Sequence, residues 1–175
     1  MTVSALTMLN LDEMAGRYAT YPDLLNVLRG QGLEPDSTGR ELFRRIAVNI
    51  AVGNTDDHAR NHSAFWDGRA LSLTPAYDID PCRTPGWDAN QAMAYGRDGE
   101  RASSLAMLLG AAAVYGLGAP EARTIIDHVV SSIRDDWEEA LDVAGLTRTQ
   151  GHQLMGTRIL HPAVLDGLPA QESRQ

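Results

Sequence analysis

The sequence predicts a mainly α-helical domain that carries one small β-hairpin. Apolar residues recur at helical spacing in several segments, whereas only residues 62–73 alternate in the manner of paired strands. The 175 residues fit a single domain by length, and a hydrophobic content of 43% is enough to build a core. The single cysteine, Cys82, excludes an internal disulfide and a multi-cysteine zinc site.

The first half of the chain contains two predicted helices. Pro22 suits a first helical turn, and the leucine-rich segment that it opens meets glycine stops by Gly32. Thr38 and Glu41 have the spacing of a capping box, which predicts a second helix starting there. Gly53 is expected to end that helix.

A hairpin is predicted after this second helix. Residues His62–Trp66 and Arg69–Leu73 read as two strands, and Asp67-Gly68 between them is a typical tight turn. A proline-rich irregular segment follows, and it carries Asp78 and Asp80.

The second half returns to a helical pattern. Ser103 or Ser104 is expected to cap a helix, and Pro120 to begin a long amphipathic helix that extends to Leu141. A second capping-box pattern at residues 147–150 predicts a last helix. We expect one domain over residues 1–168 and a polar, flexible tail over residues 169–175.

Charge and hydropathy narrow the class of protein. The net charge of −8 argues against direct binding to nucleic acid, because a phosphate backbone requires a basic face. No apolar run approaches the roughly 20 residues that cross a bilayer, and the first residues lack the features of a signal peptide. A cytoplasmic location without membrane contact is therefore expected.

The residues most indicative of chemistry lie between the second helix and the hairpin. Asp56 and Asn61 have the Asp-x4-Asn spacing of a kinase catalytic loop, in which the aspartate accepts the proton of the substrate hydroxyl and the asparagine holds magnesium. Asp78 follows the hairpin, where a kinase has its second metal-binding aspartate. Two oxygen-bearing side chains and the oxygens of a triphosphate are the ligands expected for Mg²⁺, because this ion usually has only one or two protein ligands. Spacing alone is weak evidence, because Asp and Asn are also common loop residues.

Neighbouring polar residues allow other interpretations. His58 and His62, four residues apart, could bind zinc together with Asp57 in a metal-dependent hydrolase, but His62 is expected at a strand start and no third ligand is nearby. If the loop is instead a kinase catalytic loop, Asp57 is expected to face solvent or to brace the loop. Arg44 and Arg45 are expected on the solvated face of the second helix.

Two longer stretches resemble the C-terminal domain of bacterial HipA-type serine/threonine kinases. They are Asn54-Thr-Asp-Asp-His-Ala-Arg-Asn-His62 and Leu73-Thr-Pro-Ala-Tyr-Asp-Ile79, and the likeness extends over nearly the whole chain. The resemblance implies a protein-kinase-like C-terminal lobe that transfers the γ-phosphoryl group of ATP to a protein hydroxyl. It implies Asp56 as the catalytic base, Asn61 and Asp78 as magnesium ligands, and His58 and Arg60 beside the nucleotide phosphates.

The resemblance also implies binding partners. This chain, however, differs from full-length family members in one important respect. Family members act as toxins held by a DNA-binding antitoxin. Full-length members have an N-terminal lobe with an ATP-positioning lysine, but this chain has no lysine among its 15 basic residues. Because phosphoryl transfer depends on positioning and charge stabilisation, the chain alone is expected to be inactive or weak. It is half of a split kinase, a truncated product, or a non-catalytic module that binds an antitoxin or another partner.

Overall fold

The computed structural model describes residues 1–82 and 88–169, so the expected tail, apart from Pro169, lies outside the described residues. The helices are α1 (Ala5–Met8), α2 (Tyr21–Gln31), α3 (Pro35–Val52), α4 (Leu105–Gly110), α5 (Ala119–Asp135), α6 (Trp137–Ala144), α7 (Arg148–Leu154) and α8 (Pro162–Leu165). The strands are β1 (Thr2–Ser4), β2 (Ser63–Trp66) and β3 (Leu71–Leu73). Short 3₁₀ turns occupy Gly16–Tyr18, Ala59–Asn61 and Ala112–Tyr115. The predicted mainly helical architecture is confirmed.

The β-structure is larger than the predicted hairpin. Strands β2 and β3 pair antiparallel around the Asp67-Gly68 turn as expected, with Ala64 opposite Leu73. Strand β1 adds a third antiparallel strand on the free edge of β2, where Val3 lies opposite Ala64. The sequence prediction missed this strand, because three residues at the start of a chain have no periodicity to detect.

Backbone donors fix the hairpin turn at Asp67. Its Oδ1 accepts hydrogen bonds from the amides of Arg69 (2.7 Å) and Ala70 (2.9 Å). The amide of Ala70, and then that of Arg69, lower the pKa of the Asp67 carboxyl below its ordinary value. The aspartate therefore closes the turn in its charged form.

Helix α3 lies at the centre of the domain. Its apolar face is fully buried and packs against α2, α4 and α5. The buried side chains of this face are Leu42, Phe43, Ile46, Ala47, Ile50 and Ala51. Because the catalytic-loop candidate leaves the end of α3, the position of that loop is determined by the core.

The start predicted for α3 is wrong. The helix begins at Pro35, one turn before the Thr38 and Glu41 pair. Proline suits this first turn because its missing N–H would have no helical partner there. Thr38 lies inside the helix, and its hydroxyl donates to the carbonyl oxygen of Glu34 at 2.7 Å. The predicted end holds, since Gly53 adopts a left-handed φ of 76°.

The single long helix predicted from Pro120 to Leu141 is instead two helices, α5 and α6, which meet at Asp136. Carboxylates are unfavourable at a helix C-terminus and favourable in a first turn. Asp135 and Asp136 fall where α5 ends, and two further acidic residues lie in the first turn of α6. The charge pattern accounts for the break.

The two other predicted caps are present. Ser104, rather than Ser103, caps α4 by accepting a hydrogen bond from the amide of Met107. Thr147 and Gln150 form the complete capping box of α7. Among the described residues, no helix has the length and apolar character required to cross a bilayer.

The C-terminal segment is fastened to the region around the end of α3. The amide of Leu160 donates to the carbonyl oxygen of Ala51 at 2.7 Å. Arg158 donates to the carbonyl oxygen of Pro81 at 2.9 Å. The first contact attaches the C-terminal segment to α3, and the second attaches Pro81, three residues after Asp78, to the C-terminal segment.

We predict that Gly39→Ala destabilises the domain, because a Cβ at this helical position would overlap the carbonyl oxygen of Tyr115. Overpacking of this kind raises the free energy of the folded state by about 1–3 kcal/mol. Urea unfolding followed by circular dichroism measures the loss. The matched control is Gly30→Ala in α2, which meets no atom within 4 Å and should be neutral or slightly stabilising. Equal stability of the two variants would contradict the packing described here.

Candidate active site

The candidate catalytic loop begins where α3 ends. After Gly53, the amide of Asn54 donates to the carbonyl oxygen of Asn49 at 2.8 Å, which turns the chain away from the helix axis. Residues 54–58 are irregular, the 3₁₀ turn Ala59–Asn61 follows, and β2 begins at Ser63. Asp56 and Asn61 therefore lie between a helix end and a strand start, as predicted.

Asn61 and Asp78 are in direct contact. The side-chain Nδ2 of Asn61 donates to Oδ2 of Asp78 at 2.8 Å. Asn61 is buried, whereas Asp78 is exposed and has a left-handed φ of 57°. A non-glycine residue in this conformation is uncommon, and such residues concentrate at functional sites. The structure thus brings together the two residues expected to bind magnesium.

Asn54 links the catalytic loop to the segment of Asp78. Its Nδ2 donates to Oδ1 of Asn49 at 3.0 Å and lies 3.3 Å from the carbonyl oxygen of Asp78. Its Oδ1 accepts the amide of Asp56 at 3.3 Å. One buried amide therefore sets the backbone of Asp56 relative to that of Asp78. The sequence analysis assigned no role to Asn54; its position directly after a helix-ending glycine was the available signal.

Tyr77 provides a second link between the two segments. Its hydroxyl donates to the carbonyl oxygen of Arg60 at 2.5 Å. The hydroxyl oxygen of Ser63 lies 2.7 Å from the hydroxyl oxygen of Tyr77, and because Tyr77 donates to Arg60, Ser63 can donate to Tyr77. These contacts hold the residue before Asp78 against the 3₁₀ turn that ends at Asn61.

Asp57 braces the loop from inside the core. Its side chain is only 3% exposed, and its Oδ2 accepts hydrogen bonds from the Tyr21 hydroxyl and from Nδ2 of Asn49. The Nε2 atom of His62 lies 3.0 Å from Oδ1 of Asp57, and the Tyr21 ring meets the His62 ring edge-on. Of the two environments expected for Asp57, the structure shows the loop-bracing one.

The zinc interpretation has no support in the described residues. They contain no group of three or more His, Cys, Asp or Glu side chains placed to hold a metal. His62 is buried against Asp57, while His58 lines a different part of the surface. The two histidines do not form the shared site that the hydrolase hypothesis requires.

Asp56, His58 and Arg60 line one open cleft of about 270 Å³. Asp56 is exposed there, and the Nδ1 atom of His58 is buried without a hydrogen-bond partner among the described residues. Arg60 forms an exposed ion pair with Glu13, with 3.0 Å between Nη2 and Oε1. The arrangement places an exposed carboxylate and an exposed guanidinium in the same cleft, beside the half-buried imidazole of His58.

Arg45 is buried, contrary to the expectation that it lies on the solvated face of the second helix. It is only 7% exposed, and its Nη2 donates to the carbonyl oxygen of Thr74 at 2.5 Å. Its Nε donates to Glu41, while Arg44 remains on the solvated face as expected. Arg45 therefore attaches the end of β3 to α3, which helps to fix the segment that leads to Asp78.

The domain is mainly helical, and it contains a helix–loop–hairpin–loop unit. Within this unit the side chain of Asn61 is hydrogen-bonded to that of Asp78. The model of the HipA-like C-terminal domain matches residues 1–137 of this chain. The chain therefore belongs to the family of HipA-like C-terminal domains.

Individual proteins agree with this assignment. The chain is 30% identical over 60 residues to a Sinorhizobium fredii protein named "Putative kinase Y4mE". Its fold is similar to HipA of Shewanella oneidensis MR-1, solved in complex with HipB and operator DNA, with a TM-score of 0.70 and 19% identity over 89% of the chain. The chain spans 42% of that structure's chain, and the match to the curated protein covers 34% of this chain and 14% of the relative.

We predict stability effects of very different size for two neighbouring aspartates. Asp57→Ala removes a buried carboxylate and leaves the Tyr21 hydroxyl and the Asn49 amide without their partner, which should lower the free energy of unfolding by about 3 kcal/mol. Asp56→Ala alters an exposed side chain and should change it by less than about 0.5 kcal/mol. Urea titrations of both variants measure the difference. Similar stabilities would show that Asp57 does not brace the loop.

Proposed function

We propose that this chain is the catalytic lobe of a HipA-like protein serine/threonine kinase, with the lobe covering residues 1–168. The reaction transfers the γ-phosphoryl group of ATP to a serine or threonine hydroxyl of a protein. The hydrogen bond between Asn61 and Asp78 is the observation that supports this proposal most strongly, because it joins two residues that are 17 positions apart in sequence. The positions of both match the metal-binding residues of a kinase.

The donor set at Asn61 and Asp78 fits Mg²⁺. An amide and a carboxylate supply oxygen atoms, and Mg²⁺ is usually bound by one or two protein carboxylates together with phosphate oxygens. The bond between the two side chains engages one carboxylate oxygen and no amide oxygen, so acceptor atoms remain on both. Mg²⁺ in such sites neutralises charge on the phosphates during transfer.

Asp56 is the proposed catalytic base. A base must reach the proton of the acceptor hydroxyl, and Asp56 is an exposed carboxylate in an open cleft. Its backbone amide is bound by Asn54, and the next residue, Asp57, is anchored in the core. The proposed contacts to the nucleotide phosphates are His58, whose Nδ1 has no partner among the described residues, and Arg60.

The complete enzyme requires a lysine from another polypeptide segment, because this chain has none. We propose that a second lobe supplies it. We also propose that the kinase is a cytoplasmic toxin controlled by a DNA-binding antitoxin, a role supported at family level by the solved complex of HipA with HipB and operator DNA. The alternative is a kinase remnant without activity that binds an antitoxin or another partner, and the retained Asp56, Asn61 and Asp78 favour the kinase over it.

Alanine substitution of Asp56, Asn61 or Asp78 should abolish phosphoryl transfer in an enzyme reconstituted with a lysine-bearing lobe. Each removes the base or a group that positions charge, so the rate should fall by about 10²-fold or more. Incorporation of radioactive phosphate into the protein substrate measures the rate. Asp142→Ala, an exposed substitution on α6, is the control. A variant that retains full turnover would refute the role of that residue.

The isolated chain should bind Mg·ATP only weakly. No lysine is present to hold the phosphates, so the dissociation constant should be near 1 mM, or about −4 kcal/mol. Isothermal titration calorimetry measures the affinity, with Asp78→Ala as the variant expected to weaken it further. Micromolar binding to the wild-type chain would mean that these residues form a complete nucleotide site.

A further inference from the structure

The cleft of Asp56 concentrates positive charge on an acidic protein. Three of the 15 arginines line it, namely Arg17, Arg60 and Arg101, although the net charge of the chain is −8. The cleft contains two carboxylates, Asp56 and Glu13. Its side chains therefore carry a local excess of positive charge next to the proposed catalytic base.

Two of these arginines have no function in the account given so far. Arg17 stacks on the ring of Tyr18, with 4.8 Å between the guanidinium carbon and the ring centroid, and Arg101 donates to the carbonyl oxygen of Ala92 at 3.0 Å. Neither forms an ion pair with a carboxylate of the described residues. Each guanidinium has five N–H donors, so each retains donors for an anion.

The third arginine has a partner that a ligand can replace. Arg60 is paired with Glu13, whose side chain is 79% exposed. Exposed ion pairs contribute little free energy, so another anion can replace Glu13 at low cost. The buried floor of the cleft includes Ala59 and Met93, and apolar surroundings strengthen charge interactions above them.

The proposed metal ligands favour a peptide over a nucleotide as the partner of Arg17 and Arg101. Asn61 lines a separate cleft of about 170 Å³ together with Tyr77 and Ile79, and neither Arg17 nor Arg101 lines that cleft. The triphosphate must lie near Asn61 and Asp78, whereas the acceptor hydroxyl must reach Asp56. His58 and Arg60, the proposed phosphate contacts, belong to the same loop as Asn61, whereas Arg17 and Arg101 come from other segments of the chain and are left for the acceptor.

We propose that Arg17 and Arg101 bind carboxylate side chains flanking the acceptor hydroxyl, so that the kinase selects a serine or threonine in an acidic segment of its protein substrate. This inference rests on the proposed function for the identity of the acceptor. The binding surface itself is defined by the arginines and can be tested without catalysis.

The test compares two fluorescent peptides that have a central serine, one flanked by glutamates and the other by glutamines. Fluorescence anisotropy measures their binding to the 175-residue chain without nucleotide or metal. We expect the acidic peptide to bind about tenfold more tightly, since arginine–carboxylate bonds are charge-assisted. Arg17→Gln and Arg101→Gln should each remove part of this preference, and the double variant should remove all of it.

The control is Arg134→Gln, which makes the same charge change at an exposed site on α5 and should preserve the preference. Thermal melts establish that each variant is folded. Equal affinity for the two peptides, or an equal loss in Arg134→Gln, would overturn the proposal. Complete displacement of the acidic peptide by Mg·ATP would also overturn it, because the arginines would then belong to the nucleotide site.

Phosphoryl transfer to the same peptides by the reconstituted kinase separates this proposal from the proposed function. Preference for the acidic peptide in binding without any transfer would leave the surface intact and count against the kinase activity. Transfer at equal rates to both peptides, with equal affinities, would support the kinase activity and refute the role of Arg17 and Arg101.

Discussion

The buried carboxylate of Asp57 is the contact on which the geometry of the site depends. A charge removed from water is tolerated only when it is paired and hydrogen-bonded, and Asp57 meets this condition through Tyr21 of α2, Asn49 of α3 and His62 before β2. Three elements of the domain therefore meet at one side chain. Asp56 precedes Asp57 in sequence, and Asn61 precedes His62. The proposed base and the proposed metal ligand of the loop are therefore each next to an anchored residue.

The segment of Asp78 is held in a different way. This segment, taken as the described residues 74–82, contains no helix or strand, and it is attached to the loop through Asn61, Asn54 and Tyr77. Its left-handed backbone is maintained by these surrounding contacts rather than by local preference. A rigid loop and a segment attached to it by hydrogen bonds suit a site in which one ligand is fixed and the other completes the coordination of an ion.

Local sequence signals were sufficient to predict the loop after α3 and the hairpin that follows it. The helix-ending Gly53 and the Asp67-Gly68 turn each act through their own backbone, so the loop and the hairpin could be predicted from the sequence. Strand β1 could not, because Thr2 pairs with Phe65 across most of the first half of the chain. The burial of Arg45 was missed for the same reason, and the choice between the two environments of Asp57 was left open, since both depend on partners in other elements. The prediction that α3 starts at Thr38 was wrong because Pro35 also suits a first helical turn, and the helix begins there, one turn earlier.

The central claim is that Asn61 and Asp78 hold one divalent ion on a nucleotide triphosphate beside Asp56. Paramagnetic broadening of NMR signals tests it directly when Mn²⁺·ATP, a substitute for Mg²⁺·ATP, is added to the isotopically labelled chain. The account predicts that the Asn61 side-chain amide and the backbone amide of Asp78 broaden first, followed by Asp56, while Asp67 in the hairpin turn broadens last. Broadening centred elsewhere, or affecting Asn61 without Asp78, would contradict the account.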